Sequence, residues 1–286
     1  MKRLLLYFFI LVFTVTSIPL LTKTFYAPTS SLSPEIHLLH AGTRETDSVP
    51  IEDFVIGAMD AMQLTVGEET RKAIAVALRS SALYCEQNRP RHPEAALCDD
   101  PDCCIPFVRT SFSDPSVRAV GETAGLFLSF ADSPAACPLC PDAGGRTERC
   151  EAVFGIFVPY LTSVKEIGAA SRTVVRIPWA EILTAFGTER ANSDDLSVAC
   201  DRAGRVRELW LGDLTLDGQT FCKRLSLPSD LFTVQKAGTD LEITCFGQGN
   251  GLGLSIMGAD ALEKTRKGFR DILAFYFPGT EISAFH

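Results

Sequence analysis

The stretch Gly247-Gln248-Gly249-Asn250-Gly251-Leu252-Gly253 constrains this chain more than any other. Glycine at every second position strips one face of an extended backbone of side chains. Glycine inside a strand marks the close approach of another backbone or of a ligand. Leu254-Ser255-Ile256-Met257-Gly258-Ala259 follow, and the pattern then predicts a helix over 260–275 and a tail Tyr276-Phe277-Pro278-Gly279-Thr280. Gly247 and Gly249 imitate the opening of a dinucleotide-binding fingerprint. That reading fails, because Leu252 stands where the third glycine belongs and too little chain follows for a crossover strand and a ribose-binding acid.

Upstream, residues 68–86 carry Ala73, Val76, Ala77 and Leu83 at helical spacing, and their small side chains suit close packing against other elements. Residues 119–131 suggest strand, most clearly at Leu126-Phe127-Leu128, 134–149 read as a loop rich in Cys, Pro and Gly, and 174–186 mixes strand and helix signals. Residues 205–211, 214–221 and 241–246 read as strands, with Asp217-Gly218 as a turn signal. Helices towards both ends and strands between them predict an α+β fold.

The net charge of −8 excludes a nucleic-acid partner that would need a basic face. Met1-Lys2-Arg3 precedes an uncharged, largely apolar stretch from Leu4 to Leu21, broken only by Thr14, Thr16, Ser17 and Pro19. About twenty apolar residues cross a bilayer, and the basic start places the body of the chain outside the cytoplasm. The expectation is a single-pass anchor in the cell membrane over residues 1–23, with secretion after signal cleavage as the alternative. Residues 24–48, rich in Ser, Thr and Pro, read as a linker to a single domain over 49–283.

Ten cysteines leave room for disulfides or metal. His92, Cys98 and Cys104 are evenly spaced in loop-like sequence, and imidazole with thiolate suits zinc, although the spacing is not that of a zinc finger. The competing reading pairs these cysteines with Cys85 or Cys150. Cys137-Pro138-Leu139-Cys140 lacks a thioredoxin-like context and reads as a structural disulfide or as a link to Cys150.

The pieces also have a family look. The glycine block and its tail resemble the ending of the stage II sporulation protein D family, where Gly-His-Gly-Val-Gly-Met-Ser-Gln-Tyr-Gly-Ala precedes a helix and Tyr-Tyr-Pro-Gly-Thr. Val49-Pro50-Ile51-Glu52-Asp53-Phe54-Val55-Ile56-Gly57 and Glu69-Thr70-Arg71-Lys72-Ala73-Ile74-Ala75-Val76-Ala77-Leu78-Arg79 resemble its opening passages. Gly144-Gly145-Arg146-Thr147-Glu148, Phe154-Gly155 and Pro159-Tyr160-Leu161 resemble its middle signature; Gly204-Arg205-Val206 and Leu227-Pro228-Ser229-Asp230-Leu231-Phe232 resemble its later one. The order is the family's own.

The resemblance implies an extracytoplasmic domain with a groove for peptidoglycan glycan strands, protein partners in wall remodelling, and a zinc on His92, Cys98 and Cys104. Cys103 falls where the family often has His, and is either a fourth ligand or the partner of another thiol. Carried over residue by residue, Arg79, Arg146, Thr147, Glu148, Tyr160, Asn250 and Ser255 would meet the substrate. Aromatic candidates for the groove are Phe107, Phe154, Tyr160, Tyr276 and Phe277.

Family members that cut glycan are lytic transglycosylases, which need one carboxylic acid to protonate the glycosidic oxygen and then to deprotonate the sugar's own 6-hydroxyl. In the family it is a Glu in a Glu-Met-Pro passage. Here the passage is Asp60-Ala61-Met62-Gln63, so the acid position falls on Ala61, or on Met62 if counted without a gap from Gly57. Neither can carry a proton. Asn250 replaces the family His, Ile256-Met257 its Gln-Tyr, and Pro141-Asp142-Ala143 its serine-rich run. The expectation is a sporulation-associated, glycan-directed protein with weakened or lost catalysis. The alternatives are an active enzyme using Asp60 as its acid and base, and a zinc-stabilised interaction domain.

Overall fold

The computed structural model describes residues 33–285, apart from 89–90, 110–111, 169 and 189–195. It opens on a hairpin. Strand β1 (Glu35–Leu39) runs antiparallel to β2 (Thr46–Pro50), with Ile36 opposite Val49. β1 and the first three residues of β2 fall within 24–48, which corrects the reading of that whole stretch as a linker. Ile36 and Leu38 alternate with polar neighbours and are fully buried, so a period-two pattern lay within a Ser/Thr/Pro-rich composition.

Pro50 leads directly into helix α1 (Ile51–Ala61), and α2 (Glu68–Gln87) follows. Helix α2 is the axis of the first core. Its buried positions include Ala73, Ile74, Ala75, Val76, Ala77 and Leu78, six consecutive residues that cover the whole circumference. A helix apolar all round is a core helix, and its alanines let neighbours approach closely. The short β3 (Leu97–Cys98) pairs parallel with β1. Helix α3 (Asp114–Glu122) and strands β4 (Leu126–Phe130) and β5 (Ser133–Pro134) complete this side.

After β6 (Leu139–Cys140) and α4 (Cys150–Phe154) the chain builds a second core. It contains β7 (Arg172–Pro178), α5 (Trp179–Phe186), β8 (Leu196–Cys200), β9 (Val206–Leu211), β10 (Leu214–Asp217), α6 (Gly218–Arg224), β11 (Phe232–Ala237) and β12 (Asp240–Phe246). Two three-stranded antiparallel sheets, β11-β12-β7 and β10-β9-β8, enclose Phe186, Phe221 and Phe232. These rings stack at 5.3 and 5.8 Å. The mixed signal over 174–186 resolves as strand then helix. The strand expected to run to residue 221 stops at Asp217, whose carboxylate accepts from the Thr220 amide and caps α6.

The chain returns to the first core through β13 (Leu254–Ser255), α7 (Ile256–Lys264), α8 (Phe269–Tyr276) and β14 (Glu281–Ala284), which pairs with β4. The single helix expected over 260–275 is two helices. Arg266 takes a left-handed φ of 67° between them, which no continuous helix allows. The glycine block is a loop rather than a strand: Gly247, Gly249, Gly251 and Gly253 all have φ between 72° and 90°. Another backbone does come close. A Cβ on Gly253 would stand 2.0 Å from the Pro138 carbonyl, and Leu254 N–H donates to that same oxygen.

The expected membrane anchor is corrected. Among the described residues no helix is long and apolar enough to cross a membrane, so a single-pass location in the cell membrane is not supported. Segment 1–23 itself lies outside the described residues. The disulfide readings are corrected too: all ten cysteines are free thiols, and Cys137 and Cys140 are buried.

Candidate functional site

A groove of about 1600 Å³ runs along the first core. Its lining comes from residues 62–66 after α1, the loop carrying Cys103 and Cys104, residues 136–142, Phe154 and Ile156, residues 166–168, and α7 from Ile256 to Ala261. The family's acid position is therefore at the groove edge: Ala61 closes α1, and its neighbour Met62 lines the groove. Ile256 and Met257, which stand in place of a polar Gln-Tyr pair, also line it, and Met257 is half exposed. Phe154, Ile156 and Phe157 are exposed beside it, giving an apolar rim.

The sequence-derived acid is elsewhere. Asp60 is not among the lining residues. Its carboxylate accepts from Ser113 N–H at 2.7 Å, Ser113 Oγ at 2.6 Å and Ser116 Oγ at 2.6 Å. It holds the start of α3 against the end of α1, an N-terminal carboxylate in a structural position.

Most of the residues expected to meet substrate serve the interior. Arg79 is fully buried. Its guanidinium grips the Glu52 carboxylate and donates to the Leu126 carbonyl at 2.8 Å. Thr147 is buried, accepting from Val164 N–H and donating to the Thr162 carbonyl. The Tyr160 hydroxyl accepts from Ala136 N–H at 2.9 Å, and burial pushes its pKa up to about 12. Asn250 Oδ1 accepts from Leu252 N–H within its own loop. Ser255 is fully buried, caps α7 by accepting from Gly258 N–H, and also accepts from Ala143 N–H. Arg146 and Glu148 line a separate small cavity of about 240 Å³ with Arg149 and Arg202. The Glu148 carboxylate accepts from Arg207 and from Arg149 N–H; burial, and then its contact with Asp201, raise its pKa. Of the aromatic candidates Phe154 alone lines the groove. Phe107 stacks on Phe54 at 5.8 Å.

The metal-ligand expectation is the one the fold assembles most completely. Cys98 ends β3, the turn 100–104 brings Cys103 and Cys104 back towards it, and His92 comes from the loop after α2. The four donor atoms lie within 4.8 Å of one another. Nε2 of His92 is 3.4 Å from Sγ of Cys104 and 3.7 Å from Sγ of Cys103, and the two sulfurs are 3.8 Å apart. Metal–sulfur bonds of about 2.3 Å and metal–nitrogen bonds of about 2.0–2.1 Å around a tetrahedron give edges of about 3.5–3.8 Å. His92, Cys103 and Cys104 stand at about those separations, and the four side chains together could hold a metal ion.

Sequence reasoning missed Glu166. This half-buried side chain lines the groove. Its Oε1 accepts from the Tyr276 hydroxyl at 2.7 Å. Burial raises its pKa above the ordinary carboxyl value, with the Tyr276 and Ser255 hydroxyls pulling the other way. In the sequence it is one Glu in Val164-Lys165-Glu166-Ile167, with nothing local to mark it.

Fold and groove together define an α+β protein with a large groove along its first core. The family model described as SpoIID, stage II sporulation protein, matches residues 40–130. Stage II sporulation protein D of Bacillus subtilis (strain 168) is 26% identical over 279 residues, covering 90% of this chain and 81% of that protein. Stage II sporulation protein D of Bacillus amyloliquefaciens is 26% identical over 281 residues with the same coverage. An uncharacterised protein of Brachyspira hyodysenteriae is 28% identical over 246 residues, 81% of this chain and 66% of that protein. The chain thus carries a match to the SpoIID family model over residues 40–130 and is similar to stage II sporulation protein D over most of its length.

Proposed function

We propose that this chain is a sporulation-associated, peptidoglycan-directed protein that holds glycan strands in the groove during cell-wall remodelling of the engulfment type, with no proton donor at the family's acid position. The groove carries the reading. Pockets for small ligands measure about 300–1000 Å³; one of about 1600 Å³ exceeds that range and leaves room for a segment of polymer. The homology to sporulation proteins supports the cellular setting. Asp60 is not the acid in this reading, because its carboxylate is committed to α3. The exposed Phe154, Ile156 and Phe157 favour an additional protein partner at the rim.

The metal in this reading is zinc, held by His92, Cys98, Cys103 and Cys104. Four protein donors make a closed site, and closed zinc sites are structural. Cys103 and Cys104 also line the groove, so the ion would fix the shape of one wall. The test of the reading is co-sedimentation of the full chain with purified peptidoglycan. Pelleting that soluble glycan fragments compete away supports it; a chain that stays in the supernatant at every wall concentration overturns it.

A further inference from the structure

We propose that Glu166 is the proton donor of this groove: its carboxyl, rather than any residue at the Ala61 position, protonates the glycosidic oxygen of a bound strand. The inference rests on the glycan-groove reading and adds catalysis to it.

Three carboxyl groups line the groove among the described residues: Asp142, Glu166 and Asp260. Asp142 is buried and saturated. It accepts from Gly144 N–H at 2.8 Å, Ser171 N–H at 2.8 Å and Ser171 Oγ at 2.6 Å, and so pins two loops together. Asp260 accepts from Gly67 N–H at 3.0 Å and pairs with Lys264 at 2.6 Å. Burial works to raise its pKa, but Lys264 and the Gly67 amide outweigh it and hold the carboxyl below its ordinary value. A group kept ionised by a cation is a poor proton donor.

Glu166 has the opposite surroundings. The Tyr276 and Ser255 hydroxyls and the Gly145 amide are its partners, and among the described residues no cation pairs with it. Desolvation keeps its proton on to higher pH, which is how a carboxylic acid is made ready to donate near neutrality. The pocket around it is shaped. A Cβ on Gly258 would stand 2.0 Å from Oε1 of Glu166 and 2.2 Å from the Tyr276 hydroxyl, so glycine at 258 is what admits the pair. The Glu166 amide donates to the Gly145 carbonyl at 3.0 Å, which fixes the backbone beneath the side chain. The loop at 145, the cap of α7 and the last residue of α8 thus converge on one carboxyl.

The step balances without water or any added reactant. The Glu166 proton passes to the bridging oxygen, and the bond from C1 to that oxygen breaks with its electron pair going to the oxygen. The Glu166 carboxylate then takes the proton of the muramyl 6-hydroxyl, whose oxygen bonds to C1. The products are a shortened strand and an anhydromuramyl end, and Glu166 finishes protonated as it began.

A buried glutamate between two hydroxyls is also a common structural cluster, and the experiment separates the two roles. Full-length wild type, Glu166→Gln and Tyr276→Phe are incubated with purified peptidoglycan; anhydromuramyl products are read by mass spectrometry and wall binding by pelleting. We expect products from wild type, pelleting retained by Glu166→Gln, and a loss of product of about 10²–10⁴-fold in that variant. Tyr276→Phe removes a hydrogen bond that favours the carboxylate, so the pH above which cutting declines moves upward. If Glu166→Gln loses pelleting as well, the Tyr276→Phe profile decides: an upward shift supports the proposal and an unmoved limb overturns it. Wild type that pellets without products overturns it while leaving the groove reading intact. Wild-type levels of product from Glu166→Gln overturn it too, and wild type that does not pellet overturns both.

Discussion

Arg205 packs its guanidinium against Gly251, in the space where any side chain at that position would have to lie. A Cβ on residue 251 would stand 2.0 Å from Nη2 and 2.6 Å from Cζ of Arg205. Arg205 is fully buried, pairs with Asp230, and donates from Nη2 to the Ala143 carbonyl at 2.7 Å and from Nη1 to the Gly249 carbonyl at 3.3 Å. One arginine from the second core therefore holds the glycine block and the loop at 143, both of which stand behind the groove.

Gly251→Ala tests this joint. The new methyl has no room, and the φ of 72° is strained for any L side chain. Overpacking costs about 1–3 kcal/mol and a left-handed residue about 1–2 kcal/mol. Chemical denaturation should show a loss of about 2–5 kcal/mol, against only the left-handed strain of about 1–2 kcal/mol for Gly145→Ala, whose φ is 92° but where a Cβ meets nothing within 4 Å. Equal losses at the two positions would show that left-handed strain alone, and not the arginine, sets the requirement.

Arg79→Ala should act on stability and not on glycan binding. It leaves the Glu52 carboxylate buried with, among the described residues, only the Gly125 amide, at 2.9 Å, as a partner. Breaking a buried pair from one side costs about 3–5 kcal/mol. Denaturation should register that loss, while the folded fraction pellets with wall as wild type does. Weakened pelleting with unchanged stability would return Arg79 to the substrate.

Asp60→Asn bears on the discarded acid. The carboxylate ties Ser113 and Ser116 to the end of α1, and hydrogen bonds to a charged group are worth about 1.5–3 kcal/mol. The amide keeps one acceptor oxygen, so a stability loss of about 1–2 kcal/mol is expected, with product formation unaltered. Loss of product at full stability would identify Asp60 as the acid.

Zinc is tested on the full chain by elemental analysis. Near-stoichiometric zinc in the wild type should fall sharply in Cys98→Ser, and a chelator should lower the melting temperature of the wild type but not of the variant. Ligand loss and chelation act through one site because metal binding and folding are coupled. Cys103→Ser should behave in the same way if Cys103 is the fourth donor.

What the sequence disclosed was local. The alanine-rich spacing of 73–77 marked α2, the apolar run Leu126-Phe127-Leu128 marked β4 although residues 119–122 of the expected strand are helix, and His92, Cys98 and Cys104 fell into one cluster because they share a stretch of thirteen residues. What it concealed depends on distant packing. Arg79 and Thr147 are polar types that look ready for a ligand, and only the elements around them make them interior residues. The break at Arg266 has no proline to announce it. Glu166 is buried by packing that also brings it to Tyr276, 110 positions further on. No local pattern records such a meeting.

Glu166 also leaves a signature on folding. Its pKa is raised in the folded chain above the ordinary 4.5, so the folded state holds this proton more tightly than the unfolded state. The stabilisation it brings is full below about pH 4.5 and is lost as pH rises through the folded-state value. Glutamine at the position has no proton to lose and keeps similar shape. The stability of Glu166→Gln relative to wild type should therefore climb with pH through the window above 4.5 and level off once the wild-type carboxyl has ionised. Paired denaturation curves from pH 4 to pH 9 read the difference, and other titrating groups cancel between the two proteins. A flat difference across the window would mean that the carboxyl is hydrated in solution, and a group so hydrated would not keep its proton for catalysis near neutral pH.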